Sequence, residues 1–209
     1  MFATKGFEAA TMEEVADEAA MAKGTLYLYF PSKEALFLGL TLRHQEELVR
    51  RYGAAAADAE SGIELLERLF AAYYELARER LELYRLSLGL WLTSRTGCAA
   101  EAGCRQEQTG QRRRLFNMIL RAVERGVADG SVRRDIAPRT LALELWAGAL
   151  GGLLVELERA SVAREVALDP AVIPSFPHLL VEAVRAPRAA RPSGRRRAAA
   201  PRLARRGAA

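Results

Sequence analysis

Apolar residues recur along this chain at spacings of three and four, and no segment alternates apolar with polar in the manner of a strand. That period belongs to helices, so the pattern predicts an all-α fold. Leu36, Leu40, His44 and Leu48 give connected faces to a helix over about residues 32–52. Further helices are expected at about 63–79, 81–95, 104–128 and 138–160, with a last one from Pro177 to near Arg185. Small residues and glycine mark the breaks: 54–62, the loop around 97–103, and Asp129-Gly130. Pro138 suits the first turn of the helix it opens.

Closer to the N-terminus the helices become short. Thr11 followed by Glu14 has the form of a capping box, which marks a helix start. Val15, Ala16 and Ala19 follow at helical spacing and can face a small core. A turn at Ala19-Ala20-Met21 leads to a second short helix, with Met21 and Leu26 expected to point inwards. A third helix starts near Ser32-Lys33. Two short helices joined by such a turn are how a small module lays a recognition helix into the DNA major groove. Lys23, Gly24, Thr25 and Tyr27 are then left on the outer face. Lysine can donate to guanine O6 and N7, a threonine methyl can touch a thymine methyl, and glycine permits close backbone approach. The amides near Ser32-Lys33 suit a phosphate. Packing of the domain is the competing role for Tyr27 and Tyr29, and the expected one for Phe30.

The residues Lys5-Gly6-Phe7, Thr11, Val15-Ala16, Ala19, Lys23-Gly24-Thr25-Leu26-Tyr27, Tyr29-Phe30 and Ser32-Lys33-Glu34-Ala35-Leu36 carry a further pattern. Together they resemble the TetR/AcrR family of one-component transcriptional regulators, over about a fifth of the chain. The resemblance implies a helix-turn-helix DNA-binding domain over 1–46 and a helical effector-binding and dimerisation domain over 47–186. It makes Lys23, Gly24 and Thr25 candidate base readers, and Thr11, Tyr27, Tyr29 and Lys33 candidate phosphate contacts. It also implies a homodimer on a palindromic double-stranded DNA operator, and a small-molecule effector. Two positions depart from the family's pattern. Ala20 stands where glycine is usual, in a left-handed conformation that costs alanine roughly 1 kcal/mol. Ala22 stands where Ser or Thr normally caps the recognition helix, and losing that cap costs about 1 kcal/mol.

A third departure lies ahead of the motif. Phe2 to Phe7 reads as a helix end, with Gly6 past the last turn and Phe2 and Phe7 at the positions that touch in a Schellman cap. Only about one turn precedes Gly6, whereas in similar proteins this helix is several turns long and follows a basic arm. So short a helix does not persist alone, because nucleation is costly. Val15, Met21, Leu26 and Phe30 would lack cover, and the module is expected to be loose. Two explanations compete: a start codon assigned too far downstream, which is preferred, or a real truncation that impairs DNA binding.

Charge sharpens that question. Residues 1–52 hold six Lys or Arg against eight Asp or Glu, a net −2, although DNA affinity rests on cations near phosphates. The segment 187–209 holds eight Arg and no acidic residue, is rich in Ala, Pro and Gly, and is expected to be a disordered tail. The whole-chain charge of +5 therefore comes from that tail and not from the DNA module. The tail either adds nonspecific DNA affinity or is a solvated extension.

The remaining chemistry is sparse. No uncharged apolar run of about 18 residues indicates a membrane span, and no signal peptide is visible; a cytoplasmic protein without a membrane partner is expected. Cys98 and Cys104 are not expected to form a structural disulfide there. No metal is expected, since His44 and His178 have no ligand spacing. No cofactor motif, catalytic triad, phosphate loop or paired carboxylates appear, so an enzyme is not expected.

In the body, Phe70, Tyr73, Tyr74, Tyr84, Trp91 and Phe116 form an aromatic set suited to an apolar ligand that must be oriented. Each has an ordinary core role as its alternative; at least two are expected to line a pocket. Helix 138–160 places Ala147, Gly148, Ala149, Gly151 and Gly152 at its middle. Each glycine costs a helix about 1 kcal/mol relative to alanine, so close helix approach is expected. Gly148, Gly151, Gly152 and Leu153 are the candidate dimer interface, with packing inside one subunit as the alternative. These features lead to a ligand-responsive transcriptional regulator, a homodimeric repressor, or else a small-molecule-binding dimer whose DNA module is impaired.

Overall fold

The computed structural model describes residues 1–92, 102–157 and 172–187. Among them the chain forms nine helices: α1 (Phe2–Lys5), α2 (Met12–Glu18), α3 (Lys23–Tyr29), α4 (Lys33–Ala57), α5 (Gly62–Glu79), α6 (Leu81–Leu92), α7 (Ala102–Asp129), α8 (Pro138–Leu157) and α9 (Val172–Val184). A single antiparallel bridge joins Val132 to Arg185 among these residues. The fold is all-α, with a short-helix N-terminal module and a long-helix body. The expected boundary at 46/47 falls inside α4, which runs unbroken from one into the other.

α5 is the centre of the body, packing against α4, α7, α8 and α9. It presents Leu66, Leu69, Phe70 and Leu76, all essentially without solvent exposure. Ile119 and Val123 of α7, Leu141 and Leu145 of α8, and Val181 of α9 close on them. Where α5 crosses α7, Gly62 lies so near Gly126 that a β-carbon on Gly62 would stand 2.0 Å from the Gly126 nitrogen. The start of α5 is fastened to the end of α7. Ser61 accepts from the Glu64 amide, Asp129 from the Gly62 amide at 2.7 Å, and Ser131 from the Ile63 amide at 3.1 Å. These bonds satisfy amides that a helix start leaves without internal partners.

Several boundaries differ from the sequence expectation. The 54–62 break is confined to about four residues, because α4 continues to Ala57; alanine is the best helix former and extends a helix as readily as it fills a loop. Pro177 lies inside α9 rather than ahead of it. Ala102 and Gly103, expected in a loop, belong to α7. The rest of that loop, the end of helix 138–160 beyond Leu157, residues 188–209 and the side chains of Cys98 and Cys104 lie outside the described residues.

α8 is apolar all round, and by length and composition it could cross a membrane. It carries Glu144 and Glu156, however, and one side of it packs into the core through Leu141, Leu145, Ala149 and Leu153. Its other side exposes Leu143, Trp146, Leu154 and Val155, and Leu179 of α9 is exposed as well. A helix apolar on every face calls for a second covering surface beyond the core.

The N-terminal module has its own core of Phe2, Ala10, Met12, Ala16, Leu26, Leu36 and Phe37. α1 is one turn long. Gly6 follows it at φ 80°, ψ 166°, and its amide donates to the Phe2 carbonyl at 2.9 Å. The expected positive φ is present, but ψ belongs to an extended region that is essentially glycine's alone. Phe2 and Phe7 do meet, at 5.6 Å between ring centroids, and both also reach Phe37 of α4. Leu83 and Leu86 of α6 pack against this cluster. The short α1 thus gains its cover from the body. Leu26 is buried as expected, and Val15 and Phe30 are half-buried. Met21, expected in the core, is 37% exposed, and Ala19 is also exposed. The turn places both outside the α2–α3 contact, and Met12 and Phe2 fill that space instead.

Candidate nucleic-acid interface and effector cavity

The helix-turn-helix is built as its sequence dictates. The Thr11 hydroxyl accepts from the Glu14 amide at 3.2 Å, and the Glu14 carboxylate accepts from the Thr11 amide at 3.1 Å, so the capping box is complete. Ala20 adopts φ 51° and is the one non-glycine residue with positive φ among those described. The Ala22 side chain provides no cap for α3. Both expected departures therefore appear as a strained turn and an uncapped recognition helix.

α3 buries Leu26 and turns Lys23, Gly24, Thr25 and Tyr27 outwards. Space is open beside Gly24, with nothing near where a β-carbon would stand. Tyr29 is 68% exposed, and Leu28 beside it is 80% exposed. The readers and three of the phosphate candidates, Thr11, Tyr27 and Tyr29, thus lie on accessible surface.

Two lysines are less available than their positions suggest. Lys23 is ion-paired with Glu13 of α2, and its ammonium lies 5.8 Å from the Tyr27 ring centroid. That pairing holds the Glu13 carboxyl below its usual range and raises the Lys23 ammonium. Lys33 donates to the Glu8 carbonyl at 3.0 Å and the Ala10 carbonyl at 3.1 Å, and sits over the Phe7 ring at 4.8 Å. It is a clamp between α4 and the loop ahead of α2, with at most one ammonium proton left for a phosphate. Lys5 pairs with Glu14, and the terminal amine with Glu18. The acidic excess read from the sequence is thus spread along the cations of this module.

Behind the module, a partly enclosed cavity of about 280 Å³ lies among five helices. α4 supplies Phe37, Thr41, His44, Gln45 and Leu48; α5 supplies Tyr73; α6 supplies Leu83, Tyr84 and Ser87; α7 and α8 supply Arg112, Leu115, Trp146 and Leu150. Of the expected aromatic set, Tyr73 and Tyr84 line it. Phe70 is instead fully buried in the α5 core, and Phe116 packs beside Trp146 at 5.9 Å. Tyr74 points towards α8, where its hydroxyl donates to the Ala149 carbonyl at 3.0 Å. The side chain of Trp91 lies outside the described residues. Helical periodicity identifies buried faces but does not separate a cavity wall from solid core, so it put His44 on a connected face without marking it as cavity wall, and Phe37, Gln45, Arg112 and Trp146 carried no sequence signal.

His44 meets the Tyr84 ring edge-on at 4.6 Å. Burial, with Arg80 and Arg51 nearby, pulls its pKa down to about 4, so the imidazole is neutral at physiological pH. His44 Nε2 and Gln45 Oε1 are both buried without hydrogen-bond partners. Burial likewise pushes the buried Tyr73 phenol well above its usual value.

The glycine-rich segment of α8 separates into two roles. A β-carbon on Gly148 would meet Leu180 at 2.7 Å, and one on Gly152 would meet Phe176 at 2.3 Å and the Tyr74 hydroxyl at 2.4 Å. Leu153 is buried with Ala77 and Leu157. These three are taken up by packing within the chain, because α5 and α9 both press on that side of α8. Gly151 alone of the four opens onto free surface. Elsewhere, Glu67, His178 and Glu182 bring ligand atoms together in a way their spacing did not suggest. Arg185 already bridges both carboxylates at 2.6–2.7 Å, which opposes a metal ion there.

Residues 1–40 match the model of the bacterial regulatory proteins of the tetR family. The transcriptional repressor KstR2 of Mycolicibacterium smegmatis is 30% identical over 139 residues, 65% of this chain and 64% of the relative. The transcriptional activator FasR of the same organism is 31% identical over 86 residues, 41% of this chain and 39% of the relative. The matched segments span less than two thirds of the length of these relatives. FadR of Bacillus subtilis, solved in complex with stearoyl-CoA, shares the fold with a TM-score of 0.65 at 17% identity, over 88% of this chain and 93% of that one. The N-terminal module is thus similar to that of the tetR-family regulatory proteins over residues 1–40, and the fold is shared with solved regulators of that family.

Proposed function

We propose that this chain is a ligand-responsive transcriptional regulator, acting as a homodimer on a two-fold symmetric operator and, by its likeness to KstR2, as a repressor. The observation that carries the reading is the double role of Phe37 and Leu83. Both line the cavity, and both pack in the core of the module that exposes Lys23, Gly24 and Thr25. A ligand that displaces either one re-aims α3. In a dimer this alters the spacing of two recognition helices over successive major grooves. The ligand must prefer one spacing for such a shift to occur. FadR in complex with stearoyl-CoA supports a body of this fold as an effector site. The exposed apolar face of α8 and α9 supports pairing of two copies there. The domain assignment 1–46 and 47–186 and a cytoplasmic location accompany this reading.

Selection of bound sequences from random duplex DNA, followed by footprinting, tests it. A two-fold symmetric site protected by a dimer is expected. The impaired-module alternative draws on the pairing of Lys23 and Lys5 with glutamates. It predicts no enrichment of any sequence together with intact ligand binding.

A further inference from the structure

We propose that the cavity behind the helix-turn-helix selects an amphipathic carboxylate, with its apolar part against α4, α6 and α8 and its carboxylate on Arg112. This rests on the reading of that cavity as the effector site. Most of the wall is apolar: Phe37, Leu48, Leu83, Leu115, Trp146 and Leu150. Arg112 breaks it. No carboxylate and no hydrogen-bond acceptor meets its guanidinium among the described residues, while Arg50, Arg51, Arg68, Arg133 and Arg185 each hold an ion pair. Arg112 keeps part of its surface in solvent, and the partial desolvation of its guanidinium lowers its pKa from the usual arginine value. Where a cation borders an apolar cavity without a partner, water alone solvates it, and an anion delivered by a ligand into that cavity gives it a counter-charge in surroundings of lower dielectric. Guanidinium is planar and can bind both oxygens of a carboxylate.

Two further groups fit the same ligand. The His44 imidazole is neutral and so brings no competing charge, and its Nε2 is buried without a partner. The Gln45 amide oxygen is also unpartnered, and turning the amide about its axis presents the NH2 instead. A cationic ligand would need an acidic side chain in the wall, and among the described residues none that lines this cavity is acidic.

The test is a head-group series on one chain length: decanoate, decyl phosphate, decanol and decylammonium, titrated calorimetrically into the full-length protein below their micelle concentrations. Decanoate is expected to bind at least tenfold more tightly than decanol, with decylammonium weakest. Arg112→Met should bring decanoate down to the affinity of decanol and leave decanol unchanged. Arg112→Lys should retain part of the difference. Equal binding of decanoate and decanol by the unmodified protein overturns the anion selectivity while leaving the cavity as a ligand site. Tighter binding of decyl phosphate than of decanoate overturns the carboxylate in favour of a phosphate head. Failure of every probe to bind overturns both this inference and the effector-site reading. The head-group comparison needs no variant, so misfolding of Arg112→Met would not obscure the result.

Discussion

Phe7 stands edge-on to Phe37, with ring centroids 5.5 Å apart and planes at 68°, fastening the loop after α1 to the helix that also walls the cavity. α1 is too short to hold its own shape, so its order depends on Phe37. Truncating a buried phenylalanine to alanine typically costs about 3–5 kcal/mol, and a smaller cut costs less. Phe37→Leu is therefore expected to leave the body folded while speeding amide exchange across residues 1–37. Exchange in α8 should be unchanged. Uniform acceleration through both regions would mean that the module and the body open as one unit.

The turn between α2 and α3 should be improvable. Ala20 sits at φ 51°, where glycine is free of the β-carbon clash, and α3 has no side-chain cap at Ala22. Ala20→Gly should stabilise the module by roughly 1 kcal/mol. Ala22→Ser should add about 1 kcal/mol through a capping bond. Urea titration followed by exchange at residues 11–30 would measure both. No gain from Ala20→Gly would show that the lost chain entropy offsets the relieved strain.

The three lysines of the chain are not equivalent. Lys23→Ala should lower operator affinity and relax preference at one base position. Glu13→Gln releases Lys23 and should raise affinity for operator and random DNA alike, with a steeper salt dependence. Lys33→Ala removes two bonds that hold the loop ahead of α2, so it should act first on folding, at about 1–3 kcal/mol. Comparing melting with DNA affinity separates the roles. A Lys33→Ala protein of unchanged stability with weakened binding to all sequences would restore Lys33 as a phosphate contact.

What the sequence made legible is what neighbours in the chain decide. The Thr11–Glu14 box, the strained Ala20 and the bare Ala22 are local, and each is found where the residue order puts it. The helices follow from periodicity, with errors at Ala54–Ala57 and Pro177, where a residue type tolerates two states. The cavity is different in kind. Arg112 and Gln45 lie on α7 and α4, and only the crossing of those helices joins them at one wall. The glycines of α8 announced close approach but not the partner. Gly148 and Gly152 meet α9 and α5, while Gly151 faces out, a distinction of about 100° per residue around one helix.

His44 gives the protein a pH signature. Its folded pKa, about 4, is below the ordinary value of 6.5. Between those values the unfolded chain binds more protons than the folded one, so stability rises with pH there. The contribution is complete above about pH 6.5 and falls away as pH drops towards 4. It is at most on the order of 3 kcal/mol. His44→Gln should flatten this part of the stability curve, as read from urea midpoints at pH 4.5 and 7.5. An equal slope in both proteins would assign the acid sensitivity to other groups.

The neighbouring glycines of α8 separate fold from assembly. Gly152 is pressed by Phe176 and Tyr74, so Gly152→Leu has no room and should destabilise the protein by well over the 1–3 kcal/mol typical of overpacking. Gly151 opens onto the exposed stripe that includes Trp146, Leu154 and Val155. Gly151→Leu should leave the monomer fold intact, or firmer, since leucine favours a helix over glycine by most of 1 kcal/mol. If two copies pair across this face, that side chain holds them apart. Light scattering should then show a shift towards monomer for Gly151→Leu, with unfolding midpoints compared at low protein concentration. A Gly151→Leu protein that scatters as a full dimer would place the interface away from the centre of α8.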